Sequence, residues 1–237
     1  MTTLRGMTWS HPRGYDPMLA TAVEWKQRTG VEIVWDKRSL QDFESFPVED
    51  LARQYDFIVI DHPHVGVVTA TGALAPLDVP GREAERAALA DGSVGRSYES
   101  YTYEGHQWAF PIDAAAQVMA YRADLLDNPP TDWNGVLAVA RLGRVVWPML
   151  APHSLMSFFT LTANLGAPCG QSPERFADPA AGAEAIGRLR EITALIDRSN
   201  FAMDPIAAAE AMARADAEVA LMPLGYGYVS YVRSGFR

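Results

Sequence analysis

A single cysteine, Cys169, stands among 237 residues, so neither an intramolecular disulfide nor a multi-cysteine metal site can form. In its Gly-Ala-Pro-Cys-Gly loop the thiol reads as inert. Basic residues are also scarce: 20 Lys and Arg face 29 Asp and Glu, a formal charge of −9. Phosphate backbones and anionic membrane surfaces both call for a concentrated basic face, so nucleic acid and membrane attraction are disfavoured. No window holds the roughly 18 apolar residues of a membrane span. The opening Met1-Thr-Thr-Leu-Arg5 runs into a strand-like segment without the apolar core of a secretory signal. The enzymatic fingerprints G-x-x-x-x-G-K-[ST], G-x-G-x-x-G, H-E-x-x-H and G-x-S-x-G are missing too. Gly225-x-Gly227 has Ser230 where a third glycine belongs and tyrosines where a phosphate needs bare backbone.

What is present is globular. Hydrophobic residues make up 49% and charged residues 21%. At about 150 residues per domain the length allows one or two domains. A chain of this size buries roughly 70–75% of its unfolded surface and needs no staple.

The first half alternates strand and helix signals. Residues 4–9 read as a strand and 10–14 as a polar loop. Asp16-Pro17 then reads as a helix start, with Met18, Leu19, Ala22 and Val23 as its apolar stripe and Gly30 as its C-terminal stop. Residues 31–35 form the next strand, and the run 57–60 is apolar enough for a strand buried on both faces. This alternation predicts an α/β layer, which binds ligands outside the carboxyl ends of its strands. The loops at 10–14 and 61–64 are therefore the ones to watch.

Residues 101–110 read as a hairpin turning at Glu104-Gly105, and 111–121 as an extended crossing. Asp127-Asn-Pro-Pro-Thr131 is a strong breaker. Beyond it, helices are expected at 132–140, 154–165, 179–197 and 205–214, with strands at 144–147 and 218–222. An aromatic stretch follows at 226–231. Two α/β halves meeting near 110–120 is the organisation this pattern predicts.

Asp61-His62-Pro63-His64, just after the buried run, offers the residue types of a zinc or iron site. It resembles the D-x-H-x-H strand end of amidohydrolases with the register off by one, and the remaining chain suits no such barrel. A metal-dependent hydrolase on Asp61, His62 and His64 is kept as the alternative function. Ser154 follows His153 directly, and neighbours on a helix do not face one another, which weighs against a triad. Trp9, Trp108, Trp147, Tyr226 and Tyr228 fall at strand ends or loops, where rings can stack on a sugar face. Trp25, Trp35 and Trp133, with Ala138, Ile186, Leu189, Ile192 and Leu195, are expected in the core.

Several segments together resemble the extracellular solute-binding proteins of ABC importers, in the large carbohydrate-binding group with the type 2 periplasmic binding fold. Tyr103-Glu-Gly-His-Gln-Trp-Ala-Phe-Pro-Ile-Asp113 is similar to that family's Y-x-G-K-x-Y-G-x-P hairpin. Val118-Met-Ala-Tyr-Arg122 is similar to its L-x-Y-N strand, with Arg122 in place of Asn. Pro129-Pro-Thr-Asp-Trp133 resembles its P-P-x-T-W helix start, and the segment from Glu218 to Tyr228 its A-A-M-x-x-x-G strand.

The resemblance implies an α/β, two-lobed fold ending before the C-terminal return to the first lobe. The lobes would be 1–112 and 122–237, joined by a hinge crossing at 113–121. It implies a non-enzymatic protein that closes over a small polar solute, a carbohydrate or similar, with ABC permease subunits as partners and no cofactor or metal. Ligand contacts are expected from Trp9, His11, Asp61, His62 and His64 in the first lobe. Asp113 and Gln117 would join them at the crossing, and Trp147, His153, Tyr226 and Tyr228 in the second lobe. The family works in the periplasm. Without a signal in this sequence, a cytoplasmic solute sensor derived from the fold is the other expectation.

Overall fold

A computed structural model describes residues 2–235. Met1 and the pair Phe236 and Arg237, which close the two expected lobes, lie outside the described residues. The chain divides into two compact units, Met1–Ala114 and Ala115–Arg237.

The first unit is built on a parallel sheet. β1 (Thr3–Trp9) leads through α1 (Pro12–Thr29) to β2 (Glu32–Arg38). The chain then runs through α2 (Leu40–Ser45) and α3 (Val48–Ala52) to β3 (Phe57–Ile58). Strand order is β2-β1-β3, so the crossover from β1 to β2 and the crossover from β2 to β3 run in opposite directions along the sheet. The right-handed rule then puts α1 on one face of the sheet and α2 and α3 on the other. Side chains agree. Met7 and Trp9 pack with Phe43 and Leu51 on one face, while the Thr8 hydroxyl donates to the Gly14 carbonyl of α1 on the other. Each such fully buried apolar side chain contributes about 1.5–3 kcal/mol.

After β3 come α4 (Val65–Ala70), α5 (Glu83–Asp91) and the hairpin of β4 (Thr102–Tyr103) with β5 (His106–Gln107). The hairpin turns at Glu104 and Gly105, both at positive φ, the geometry that two-residue turns require. It closes a second apolar cluster of Val48, Ile60, Val65 and Val68, with Tyr101 and Trp108 against it.

In the second unit β6 (Gln117–Tyr121) pairs antiparallel with β7 (Leu221–Tyr226). Between them lie α6 (Trp133–Arg141), α7 (His153–Asn164), α8 (Pro179–Thr193) and α9 (Pro205–Ala213). Their core gathers Val136, Leu137, Val145, Trp147, Ile192 and Leu221.

Four local expectations are corrected. Helix α1 begins at Pro12, so only Ser10 and His11 form the loop. Pro12 takes the first-turn position, where its missing N–H costs nothing. Pro17 falls inside the helix, where it forgoes the bond to the Arg13 carbonyl. Residues 144–147 make only an isolated bridge, Val145 to Leu221, because the Arg144 N–H bonds back to the Val139 carbonyl of α6 and the Trp147 N–H to the Asn200 side chain. Trp25 is 43% exposed and Ile186 48%, since α1 buries the small Gly14 and Ala22 and α8 buries Ala185 and Ile192 in their place. Leu19, Val23 and Ala138 are likewise exposed.

Candidate functional site: a strand-end face in each unit

Strand order β2-β1-β3 makes the carboxyl ends of β1 and β3 the point where the winding reverses, the usual ligand crevice of an open parallel sheet. Trp9 ends β1, His11 and Arg13 follow it, and Asp61, His62 and His64 follow β3.

On the β1 side, the His11 Nδ1 accepts from the Arg13 N–H at 3.1 Å and caps α1. Trp9 is buried against Gly14, where even a methyl group would sit 2.4 Å from its ring carbons. Its indole stands 5.6 Å from Phe43, and no described residue accepts from its Nε1. Arg13 lies 5.9 Å from the Trp9 ring. Its Nε donates to both carboxylate oxygens of Asp113, at 3.2 and 3.0 Å, and its terminal nitrogen adds a further close contact. Such a two-pronged pairing fixes both groups.

On the β3 side, the Asp61 carbonyl accepts from the His64 N–H at 3.1 Å, closing the 3-10 turn His62–His64. The Asp61 carboxylate receives no hydrogen bond from any described residue. Loss of solvation raises its pKa, against the opposing pull of His64, His62 and Arg13; Asp113 adds to the rise. The Tyr101 hydroxyl donates to the Ile60 carbonyl at 2.9 Å. Burial, with the charges of Asp61 and Asp113, pushes its pKa up to about 12, so it stays a donor.

In the second unit Gln117 stands opposite Tyr226 in the β6–β7 pair. Its amide nitrogen donates to Ser157 at 3.4 Å, and its amide oxygen accepts from Thr160 at 2.7 Å. The His153 ring meets Tyr226 edge-on at 6.3 Å. His153 is buried and its pKa is lowered by that burial, against the pull of Asp204. Tyr228 is buried as well.

Trp147 overturns its expectation. It is 0% exposed in the core, its indole N–H donating to Ser157 at 2.9 Å and its backbone N–H to the Asn200 amide at 2.6 Å. With its polar edge bonded and its ring against Trp133, it has no face left for a ligand. Trp108, also expected at a cleft, packs on the first unit's apolar cluster, its indole N–H donating to the Tyr103 carbonyl.

The structure thus brings Trp9, His11, Asp61, His62, His64 and Asp113 to one strand-end face, and Gln117, His153 and Tyr226 to another. Sequence reasoning missed Arg13, Tyr101, Ser157 and Thr160. Arg13 lies in the loop already singled out, but its partner Asp113 stands 100 positions away, where no local pattern signals it. Among the described residues no group of three or more His, Cys, Asp or Glu side chains converges to hold a metal ion. The alternative of a metal-dependent hydrolase therefore finds no support.

No protein-family model matches the chain. Solved structures do. An ABC transporter solute-binding protein from Agrobacterium radiobacter K84, in complex with ribitol, aligns with a TM-score of 0.71 at 20% identity over 95% of this chain. The fold is that of the ABC transporter solute-binding proteins. The maltotriose-binding protein of Thermus thermophilus, bound with maltotriose, is similar at a TM-score of 0.70 and 19% identity. The chain spans 60% of the first structure's length and 61% of the second's. No helix of the described residues is long and apolar enough to cross a membrane.

Proposed function

We propose that this protein binds a small polar solute of the sugar or polyol class and leaves it chemically unchanged, as the substrate-binding component of an ABC importer. The observation that carries the reading is the solute-binding fold with polar and aromatic groups gathered at its topological switch point. His11, Asp61, His62 and His64 would bond ligand hydroxyls, and Trp9 would support the face from beneath. Asp113 enters through Arg13. From the second unit, Gln117, His153, Tyr226 and Tyr228 would contribute, whereas Trp147 acts only through the core. The partners in this reading are the solute and the permease subunits, and the place of action is the periplasm.

The test is a library of sugars, polyols and organic acids read by intrinsic tryptophan fluorescence and thermal melting. At least one member is expected to shift both readouts saturably. A folded protein that answers to none of them rules the reading out.

A further inference from the structure

The first unit holds eight arginines and two lysines, and eight of these ten side chains form an ion pair with a carboxylate. The two that pair with no acid among the described residues are neighbours, Lys37 and Arg38, which close β2 at its carboxyl end. Exposure does not explain the difference. Arg53 and Arg96 are paired with side chains 76% and 84% exposed, whereas Arg38 is partly buried. Asp36, on the same face of β2, is bonded to Arg5 at 2.6 Å and gives Arg38 no ion pair.

Both cations are held on aromatic rings instead. The Arg38 guanidinium carbon lies 4.1 Å from the centre of the Phe46 ring, and the Lys37 ammonium 4.4 Å from that of Tyr15. Stacking occupies one face of a guanidinium and leaves the N–H groups along its edge to be bonded. The backbone sets Arg38 at the candidate site. It stands in register with Trp9, and the Ser10 N–H donates to its carbonyl at 2.6 Å. Phe46 beneath it packs on the cluster that holds Trp9 and Phe43. Arg13, the other guanidinium at these strand ends, is committed to Asp113. A ligand carboxylate fits the open fork, accepting two parallel bonds about twice as strong as neutral ones. In a chain of formal charge −9, one negative charge suits it better than the near-double charge of a phosphate.

We propose that the solute is an acidic sugar, a uronate or an aldonate, whose carboxylate is held by Arg38 at the end of β2. Lys37 adds charge from the other face of that strand, and the groups after β1 and β3 bond the hydroxyls. The inference rests on the solute-binding reading and names the ligand class within it.

The experiment is calorimetric titration with matched sets. The first is glucuronate, glucose, glucosamine and glucose 6-phosphate, the second galacturonate, galactose and galactosamine, the third gluconate and glucitol. In at least one set the carboxylate is expected to bind tenfold or more tighter than every other member. Arg38→Gln should bring that acid and its neutral counterpart within about threefold, with the far-ultraviolet spectrum unchanged. A smaller preference in every set, or a preference for the neutral, amine or phosphate member, overturns the inference and needs only the unaltered protein. So does a preference for the acid that survives Arg38→Gln. Silence in every set, with saturable binding of another solute from the wider library, overturns it and leaves the solute-binding reading intact. Silence towards every solute overturns both.

Discussion

Two tryptophans placed alike in the sequence do different work. Trp9 ends β1 in the first unit, and Trp147 ends a strand-like run in the second. Both are buried. Trp147 has its indole bonded to Ser157 and its backbone to Asn200, deep in an apolar cluster. Trp9 has an indole nitrogen with no acceptor among the described residues, a glycine pressed against one face and Arg13 nearby. Position at a strand end does not make a ligand residue. What separates the two is whether the polar edge is already satisfied by the fold, because a bonded, packed indole has nothing left to offer.

The strongest way to break this comparison is truncation. Trp147→Ala is expected to cost about 3–5 kcal/mol, as for large aromatic deletions in cores, in denaturant unfolding. A loss below about 1 kcal/mol would mean Trp147 is not the core residue described. Gly14→Ala should cost about 1–3 kcal/mol, because its methyl overlaps the Trp9 ring and the helix start must shift. Unchanged tryptophan emission and stability would refute that contact. Replacing each indole by a smaller ring sharpens the contrast. Trp147→Phe removes the indole bond to Ser157, leaving that hydroxyl only the longer one from Gln117, and should cost roughly 1 kcal/mol more than Trp9→Phe, which breaks no hydrogen bond. Equal losses would show that the indole bond contributes nothing.

Titration separates the two faces by sign. Burial lowers the pKa of His153, so the unfolded chain takes up that proton first as pH falls below about 6.5. Its contribution is full above that pH and is lost below it. His153→Phe should flatten that slope in melts between about pH 5 and 7. Asp61 runs the other way. Its raised pKa makes its contribution full below about pH 4 and lost as pH rises through the folded value. Asp61→Asn should therefore melt slightly higher than the parent at neutral pH, an advantage that disappears near pH 4. A variant that melts lower at neutral pH would show that Asp61 has a partner in the fold. The smallest effect belongs to Ile186→Ser on the exposed side of α8, expected within about 0.5 kcal/mol.

The α/β character was legible because it is written in local chemistry. Gly30 stops α1 in the left-handed conformation, Glu104-Gly105 turns the hairpin, and prolines open α8 and α9 behind aspartate caps. The start of α1 was misplaced because two Pro signals compete five residues apart, and only the His11 cap decides for Pro12. At the site, strand order told more than residue type. That β3 returns beside β1 and not beside β2 is what joins 61–64 to 10–14. No periodicity encodes that choice. The core role of Trp147 depends on Ser157 and Asn200, and the commitment of Arg13 on Asp113. Both are tertiary pairings that one-dimensional patterns do not carry.

The Arg13–Asp113 pair has a consequence in time. Its partners lie 100 positions apart, and synthesis proceeds at roughly 5–20 residues per second. Arg13 is thus made about 5–20 seconds before its acid. For that interval the nascent first unit lacks the acid that Arg13 pairs with in the fold. The pair cannot form until all but the last residue of this unit has been made.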